Sequence, residues 1–262
     1  MLFAAPRRVR PRHFLDIDLG GGLHTMTYKA NKIDKGLGGG GMLKVQYQLM
    51  FDASWGLGAG LQFSSYFGST KWDKFSNSYK GFQHEDAAGS GDYLFKIVAK
   101  GTEKQQLYAL QIPIQVIYLH KINRRMSIQM AGGFTFDIPV VGKYKIQDML
   151  VSPRGVFTET AVEYFNIGHG FVDTTFNKTG NLDFNNFNVG LQLEAGVVMS
   201  SLKVGVYLNY GILNYTKSSL ITPFDVHSGN LDYISAYGTN LISAVHPLEV
   251  GLKIGYLIQM GR

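Results

Sequence analysis

One stretch of the chain, residues 187–213, alternates apolar residues with polar or small ones along two arms. Only Ser200 and Ser201 separate the arms. A period of two over about ten residues indicates a long strand with one apolar face. A two-residue turn would pair Met199 with Leu202 and keep the apolar residues of both arms on the same face. The stretch therefore predicts a β-hairpin.

The length of these two strands indicates their surroundings. Strands of soluble sheets typically have about five or six residues, whereas a strand that crosses a bilayer at a tilt needs about nine to eleven. The mean hydropathy of the chain is −0.02, and no apolar run approaches the roughly 18 residues that a transmembrane helix needs. The sequence therefore excludes helical membrane spans and favours membrane-spanning strands.

The same alternation recurs in six other segments, so that eight strands are predicted in all. Pro113 lies within one of them, and we expect a local irregularity there because proline removes a donor from the sheet ladder. The six segments are residues 13–27, 37–51, 55–67, 105–119, 126–138 and 246–258.

The connections between the predicted strands alternate in length. Short turns follow the second, fourth and sixth strands, whereas long excursions at 68–104, 139–182 and 214–245 follow the third, fifth and seventh. Outer-membrane barrels have this arrangement, with short periplasmic turns and long extracellular loops. We therefore predict an all-β fold, an eight-stranded antiparallel up-and-down transmembrane β-barrel. Residues 13–262 would form this single domain, and residues 1–12 a basic tail on the periplasmic side.

Aromatic residues gather near the strand ends on the apolar face. Such side chains prefer the membrane interface, and two levels of them are typical of a membrane barrel. At the turn side we predict a girdle of Phe51, Trp55, Tyr118 and Tyr256, and at the loop side one of Phe67, Phe136, Phe187 and Tyr210.

A soluble barrel of the lipocalin type is the alternative fold, with the apolar face inside and the polar face in water. The polar face is dominated by Gly, Gln, Asn and Ser and holds few of the Lys and Glu residues of water-facing strands. The chain has 32 glycines, which suit the crowded interior of a narrow barrel. Both observations favour the membrane barrel.

Charge and cysteine content limit the possible partners. The net charge is +6, but the basic residues are scattered apart from the cluster in the tail, so we expect no nucleic-acid partner. The tail is either a solvated segment or a tether to an anionic partner. The chain has no cysteine, which excludes disulfides and thiolate sites. A signal peptide has the reverse order, basic before apolar, so we expect an export signal outside this chain.

The inward positions of the predicted strands carry charged and amide side chains. Buried charges in a narrow lumen must be paired or hydrogen-bonded, so these residues predict a polar network that plugs the barrel. A narrow conductive or proton path is the alternative. The predicted network consists of Asp16, Asp18, Lys44, Gln46, Gln62, Gln111, Gln129, Asp137, Gln192, Glu194, Lys203, Asn209, Glu249 and Lys253.

Two patterns could carry chemistry. His24 with Ser64 and Tyr66 suggests a hydrolase at the rim, of the lipid A deacylase type, if the geometry brings them together. Residues 84–86 with Asp92 could hold calcium, although their spacing is not that of an EF-hand loop. No flanking motif supports either pattern, so we expect no catalytic residue, no cofactor and no metal site, and a protein that is not an enzyme.

Three segments resemble the small outer-membrane β-barrel family widespread in Bacteroidota, the PorT-like group of OmpA-like barrels. Residues 110–114, Leu-Gln-Ile-Pro-Ile, are similar to the family's Leu-Glu-Ile-Pro-Leu, with Gln111 in place of the usual acid. Residues 188–196 resemble its Gly-x-x-x-Gly-x-Gly strand, and residues 210–214 its Tyr-x-x-Gly-Leu-x-Asn ending. The chain extends to Arg262, beyond the family's closing aromatic. The resemblance implies an eight-stranded barrel, and the family includes structural proteins, adhesins and secretion-system subunits.

The three long excursions hold apolar residues as well as polar ones, which indicates that they pack, continue strands outward or contact a partner. We therefore expect a non-enzymatic accessory or structural subunit of an envelope complex, in a secretion or assembly machine of a Gram-negative outer membrane. Its partners would be outer-membrane lipid, lipopolysaccharide and at least one protein. A stand-alone scaffold, an adhesin or a narrow pore is the alternative.

Overall fold

Every regular element in the described part of the protein is a β-strand. Among the described residues, no helix is long and apolar enough to cross a membrane. The computed structural model describes residues 11–28, 33–80, 84–86, 89–91, 93–157, 163–164, 174–181, 184–215 and 245–261.

Eight long strands form a closed barrel in which each strand is antiparallel to both of its neighbours. The predicted fold class is confirmed. The last strand closes on the first, from the pair His13–Met260 at one end to Tyr28–Val245 at the other. The strands are β1 (Arg12–Tyr28), β2 (Gly38–Met50), β3 (Trp55–Lys80), β4 (Tyr93–Lys121), β5 (Met126–Phe157), β6 (Asn188–Met199), β7 (Leu202–Gly211) and β8 (Val245–Met260).

The hairpin of β6 and β7 has the predicted register, with Met199 opposite Leu202 and Val198 opposite Lys203. Its turn is Ser200-Ser201, and Ser200 has a φ of 58°. A positive φ at the first turn residue matches the right-handed twist of the two strands, but it is unfavourable for a residue with a side chain. The alternation sets the register, and the tight turn requires an unfavourable backbone conformation at Ser200.

The alternation of side chains places polar residues inside the barrel and apolar residues outside. On β1, Asp16, Asp18 and His24 are fully buried, whereas Leu19 and Leu23 are 60% and 64% exposed. The same exposure of large apolar side chains recurs on every one of the eight strands. This is the reverse of a lipocalin-type barrel, so the soluble alternative is wrong.

Glycines make room for the ring of Tyr207, which is buried in the lumen. A Cβ atom added to Gly20 would lie 2.8 Å from the Tyr207 ring, and one added to Gly251 would lie 2.6 Å from it. The Cβ atom added to Gly251 would also lie 2.6 Å from the backbone oxygen of Gly21. The glycine content that the sequence shows is therefore a packing requirement at these inward positions.

Three strands run far beyond their predicted ends, so most of the excursions at 68–104 and 139–182 continue strands outward, which is one of the alternatives expected for them. The pairing of β3 with β4 continues to Lys80–Leu94, and that of β4 with β5 to Tyr93–Phe157. In these parts of the sheet the outward positions include exposed Lys71 and Lys104, so the apolar outer face of the barrel wall does not continue there.

A β-bulge on β5 marks the point where the predicted strand stopped. Ala109 lies opposite Pro139 and Tyr108 opposite Val141, which leaves Val140 as the extra residue. One inserted residue reverses which side chains point inward. Beyond the bulge, Ile146 is buried although it has the opposite parity to Asp137.

Pro113 interrupts the ladder between β3 and β4, as expected. The pairs pass from Ala59–Ile114 directly to Gln62–Gln111 without a change of register. Proline lacks the amide hydrogen that this ladder would use.

Short strands extend the sheet beyond the barrel wall. Ile33–Lys35 pairs with β3, and Glu163–Tyr164 and Thr174–Asn181 pair with β5. A separate two-stranded sheet joins His84–Asp86 to Gly89–Gly91. Residues 1–10 of the predicted basic tail and 216–244 of the third predicted loop lie outside the described residues.

Candidate functional site

The lumen contains the residues that the alternation predicted for it. All fourteen side chains of the predicted network lie on inward positions, and each residue is at most 8% exposed. They come from all eight strands, so the network joins the whole circumference of the barrel. It has three levels, which are an ion cluster, a chain of amides and a pair of carboxylates toward the long-strand end.

The ion cluster consists of three lysines and three carboxylates. Asp18 is its centre, since Lys203, Lys253 and Lys44 lie 2.7, 2.8 and 3.3 Å from its oxygens. Lys44 also donates to Glu194 at 2.5 Å, Lys253 contacts Glu194, and Lys203 contacts Asp16. Three positive and three negative groups leave the cluster neutral, which is the condition for burying it without uncompensated charge.

A chain of amide side chains continues from the ion cluster along the lumen. Every link is a hydrogen bond of 2.7–3.1 Å in which the amide nitrogen donates to the next oxygen. Amides do not titrate, so this chain is suited to filling the lumen rather than to passing protons. In order of donation it runs from Gln46 to Gln115, Gln192, Gln62, Gln111 and finally Asp137.

Two carboxylates at the long-strand end of the lumen have tyrosine hydroxyls as partners. Tyr215 donates to Asp137 and Tyr207 donates to Glu249, both at 2.6 Å. A small recess lies between these groups. It is lined by Tyr66, Gln111, Thr135, Asp137, Asn209, Tyr210, Gly211, Pro247 and Glu249.

The turn end of the lumen is closed by apolar side chains, which were not predicted as a group. They point inward from six strands and are at most 9% exposed. We call them the apolar plug. It consists of Phe14, Met50, Ile117, Leu119, Ala131, Val198 and Leu257.

The predicted aromatic girdles lie on the outer face of the barrel. Phe51, Trp55, Tyr256, Phe67, Phe187 and Tyr210 are between 39% and 57% exposed. The other two are half-buried because they pack against a girdle neighbour. Tyr118 has its ring 4.8 Å from that of Trp55, and Phe136 has its ring 5.9 Å from that of Phe187.

The structure does not assemble the hydrolase pattern. The His24 ring packs 4.7 Å from the Tyr66 ring, and the Ser64 hydroxyl donates to Gln111 at 2.5 Å. A serine nucleophile needs its hydroxyl to donate to a histidine nitrogen. Among the described residues, no hydrogen bond joins Ser64 to His24.

No cluster of three or more histidine, aspartate or glutamate side chains that could hold a metal ion occurs in the described residues. The calcium pattern of residues 84–86 and Asp92 falls on side chains that lie outside the described part of the chain.

Several buried polar residues were missing from the predicted network, among them Gln48 and Gln115, which follow the same alternation as the predicted members on β2 and β4. Glu103 and Gln105 lie inside the extension of the barrel, which is the part of β3, β4 and β5 beyond the loop-side girdle. They continue the alternation of β4, and the Gln105 amide donates to Glu103 at 2.8 Å. The alternation in the sequence could therefore have identified these two residues. Tyr215 is fully buried against Asp137, but it follows the end of β7 and has no periodic signal.

The chain is similar to a known protein family. A family model described as an outer membrane protein beta-barrel domain matches residues 3–217. No curated protein matches the chain.

Among solved structures, two of Ail, the attachment invasion locus protein of Yersinia pestis, are similar. One, in complex with the heparin analogue sucrose octasulfate, is 12% identical and covers 94% of this chain and 99% of its own, with a TM-score of 0.30. The other is 14% identical, with coverages of 94% and 98% and the same TM-score. An outer membrane channel from Pseudomonas putida F1 is 7% identical, with coverages of 99% and 100% and a TM-score of 0.24.

Proposed function

The chain belongs to the outer membrane protein beta-barrel domain family, and from that premise we propose that it is a non-enzymatic, non-conducting barrel that serves as an accessory or structural subunit of an envelope complex. Its place is the outer membrane of a Gram-negative bacterium, with the short turns in the periplasm and the long strands outside. The motif likeness at residues 110–114, 188–196 and 210–214 supports a member of the PorT-like group of Bacteroidota.

The filling of the lumen supports a non-conducting barrel. An eight-stranded barrel has an interior just wide enough for side chains. Here the apolar plug fills the turn end, and the ion cluster and the amide chain fill the middle. An ion crossing this lumen would have to displace paired charges and apolar groups together.

The observation that carries the subunit role is the length of β3, β4 and β5. They have 26, 29 and 32 residues, whereas about nine to eleven cross a bilayer. Residues 68–80 of β3 alone reach about 40 Å beyond the loop-side girdle, at about 3.3 Å per residue. Such a sheet is not needed to cross the membrane, and its faces and edges are available to a partner.

The subunit role is tested on the protein in its own membrane. A tagged chromosomal copy, solubilised in mild detergent, should run in native mass analysis as a particle larger than the monomer. A clean monomer would contradict the proposal and favour the stand-alone scaffold or adhesin.

A truncated variant tests whether the long strands bind the partner. Trp72 lies opposite Gly101, so an Asn-Gly turn that replaces residues 73–100 would remove the outer part of the hairpin and keep the register below it. We expect the truncated chain to fold as a barrel, seen by its gel mobility with and without heating, and to lose the larger particle. An Asn-Gly insertion after Asn123, in the opposite turn, is the control and should keep it.

The narrow pore is tested separately by planar-bilayer conductance. We expect the wild-type chain to give no discrete current steps. Steady single-channel currents that depend on the protein would contradict the non-conducting barrel and support the pore.

A further inference from the structure

Three exposed lysines form a cluster on the outer face of β4 and β5. Lys104 lies directly opposite Lys145, and Lys143 is the next outward residue on the same strand as Lys145. Opposed side chains have Cβ atoms about 5 Å apart, and those at i and i+2 on one strand about 7 Å. The three ammonium groups can therefore reach one small anion together.

The neighbours of this lysine cluster leave its charge uncompensated. One row of paired residues is Ser69, Lys104, Lys145 and Thr179, and the next is Phe67, Gln106, Lys143 and Asn181. Neither row contains an acidic residue, and in the described part of the chain none of the three lysines takes part in a salt bridge.

Like charges placed directly opposite each other destabilise a sheet. Lys71, the next basic residue on β3, is different because it lies opposite Asp34, and we do not include it in the cluster. The flanking hydroxyl and amide groups of Ser69, Gln106 and Thr179 are hydrogen-bond donors. The cluster thus combines positive charge with donors, the combination that binds phosphate.

The lysine cluster lies at the edge of the apolar belt. Lys143 is in the same row as Phe67, which belongs to the loop-side girdle. One row closer to the membrane centre, Val141 is 39% exposed, and Ile138 below it is 41% exposed. Lysine chains that start at this level reach the layer of lipid headgroups.

We propose that Lys104, Lys143 and Lys145 bind a phosphate group of a phosphorylated lipid in the outer leaflet. The lipid chains would run along the apolar face below, and the phosphate would offset the repulsion within the cluster. This inference rests on the proposed orientation, with the long strands outside.

The binding test uses the full chain refolded in a neutral detergent, with diphosphorylated lipid A and the same lipid stripped of phosphate as probes. Native mass spectrometry should show that the phosphorylated lipid binds about tenfold tighter or more. The K104Q/K143Q/K145Q variant should lose this preference, whereas K104R/K143R/K145R should keep it.

The matched control is K121Q/R124Q/R125Q, which removes three exposed positive charges at the turn end. Equal binding of the two lipids, or an equal loss in the control variant, would overturn the proposal. A soluble sulfated oligosaccharide that bound the lysines more tightly than the lipid would overturn it in favour of a glycan.

The orientation has its own test, because the chain contains no cysteine. A Thr179→Cys variant should react with a membrane-impermeant maleimide on intact cells. Reaction only after the membrane is opened would overturn the orientation, and the lipid site with it. The detergent experiment would still report separately whether the lysines bind phosphate.

Discussion

Lys253 Nζ lies 2.8 Å from Asp18 Oδ2, across the seam where β8 closes on β1. The same carboxylate also contacts Lys44 and Lys203, and all four side chains are at most 2% exposed. One acid therefore holds three cations that come from three other strands. This contact couples the closure of the barrel to the charge balance of its interior.

Replacing Asp18 by Asn should strongly destabilise the barrel. The substitution leaves the neutral cluster with one excess positive charge at a fully buried position. Removing one partner of a buried ion pair typically costs about 3–5 kcal/mol. The free energy of unfolding, measured by urea titration of the chain in lipid vesicles, should fall by that order.

A second substitution shows whether the loss of stability comes from the unpaired charge or from altered packing. In the double variant D18N/K253M the excess charge is gone, and we expect part of the lost stability to return. If the double variant is as unstable as the sum of the two single ones, the loss comes from packing and not from the unpaired cation.

The barrel wall could be predicted from the sequence because a lipid-facing strand obeys a simple rule. Leu19 and Asp18 must point to opposite sides, one to lipid and one to the lumen, so their alternation shows directly in the sequence. The same rule explains why the charged lumenal residues were identified without any contact information.

The rule fails where one of its conditions is absent. Val140 is inserted in a bulge, which reverses the parity of the residues that follow it and ends the apparent alternation. Above the girdle the outward positions hold polar residues such as Lys71 and Lys104, so no apolar period marks the continuation of β3 and β4. Tyr215 reaches the lumen from a segment after β7, and only the folded chain brings it to Asp137.

Gly251→Ala should destabilise the barrel because the added methyl group meets fixed atoms. It would lie 2.6 Å from the Gly21 backbone oxygen as well as from the Tyr207 ring. Overpacking of this kind typically costs about 1–3 kcal/mol. Gly21→Ala is the matched control, since its methyl group would point outward and meet no atom closer than 3.6 Å. Urea unfolding should separate the two variants, and equal stability would contradict this packing account.

Ser200→Gly should stabilise the hairpin of β6 and β7. Ser200 has a φ of 58°, which glycine adopts without steric cost. The expected gain in the free energy of unfolding is about 0.5–1 kcal/mol. Ser201 does not have a positive φ, so Ser201→Gly should give no gain. A stabilisation by both variants, or by Ser201→Gly alone, would show that the turn geometry is not the reason.

Glu103 should make the stability of the protein depend on pH. It lies beyond the loop-side girdle, opposite Thr70, and is fully buried. Burial raises the pKa of Glu103 to about 7 from an ordinary value of 4.5, although the hydrogen bond from Gln105 acts in the opposite direction. Between those two values the unfolded chain loses its proton while the folded chain keeps it. Stability should therefore fall as the pH rises from about 4.5 to about 7 and stay low above that range.

Glu103→Gln should remove this dependence, because an amide of similar shape carries no charge at any pH. At pH 8 the variant should be more stable than the wild type by at most roughly 3 kcal/mol, the equivalent of the raised pKa. At pH 4 the two should be equal. Urea unfolding at both pH values gives the comparison. A stabilisation by Glu103→Gln that is as large at pH 4 as at pH 8 would place its origin in packing rather than in the buried charge.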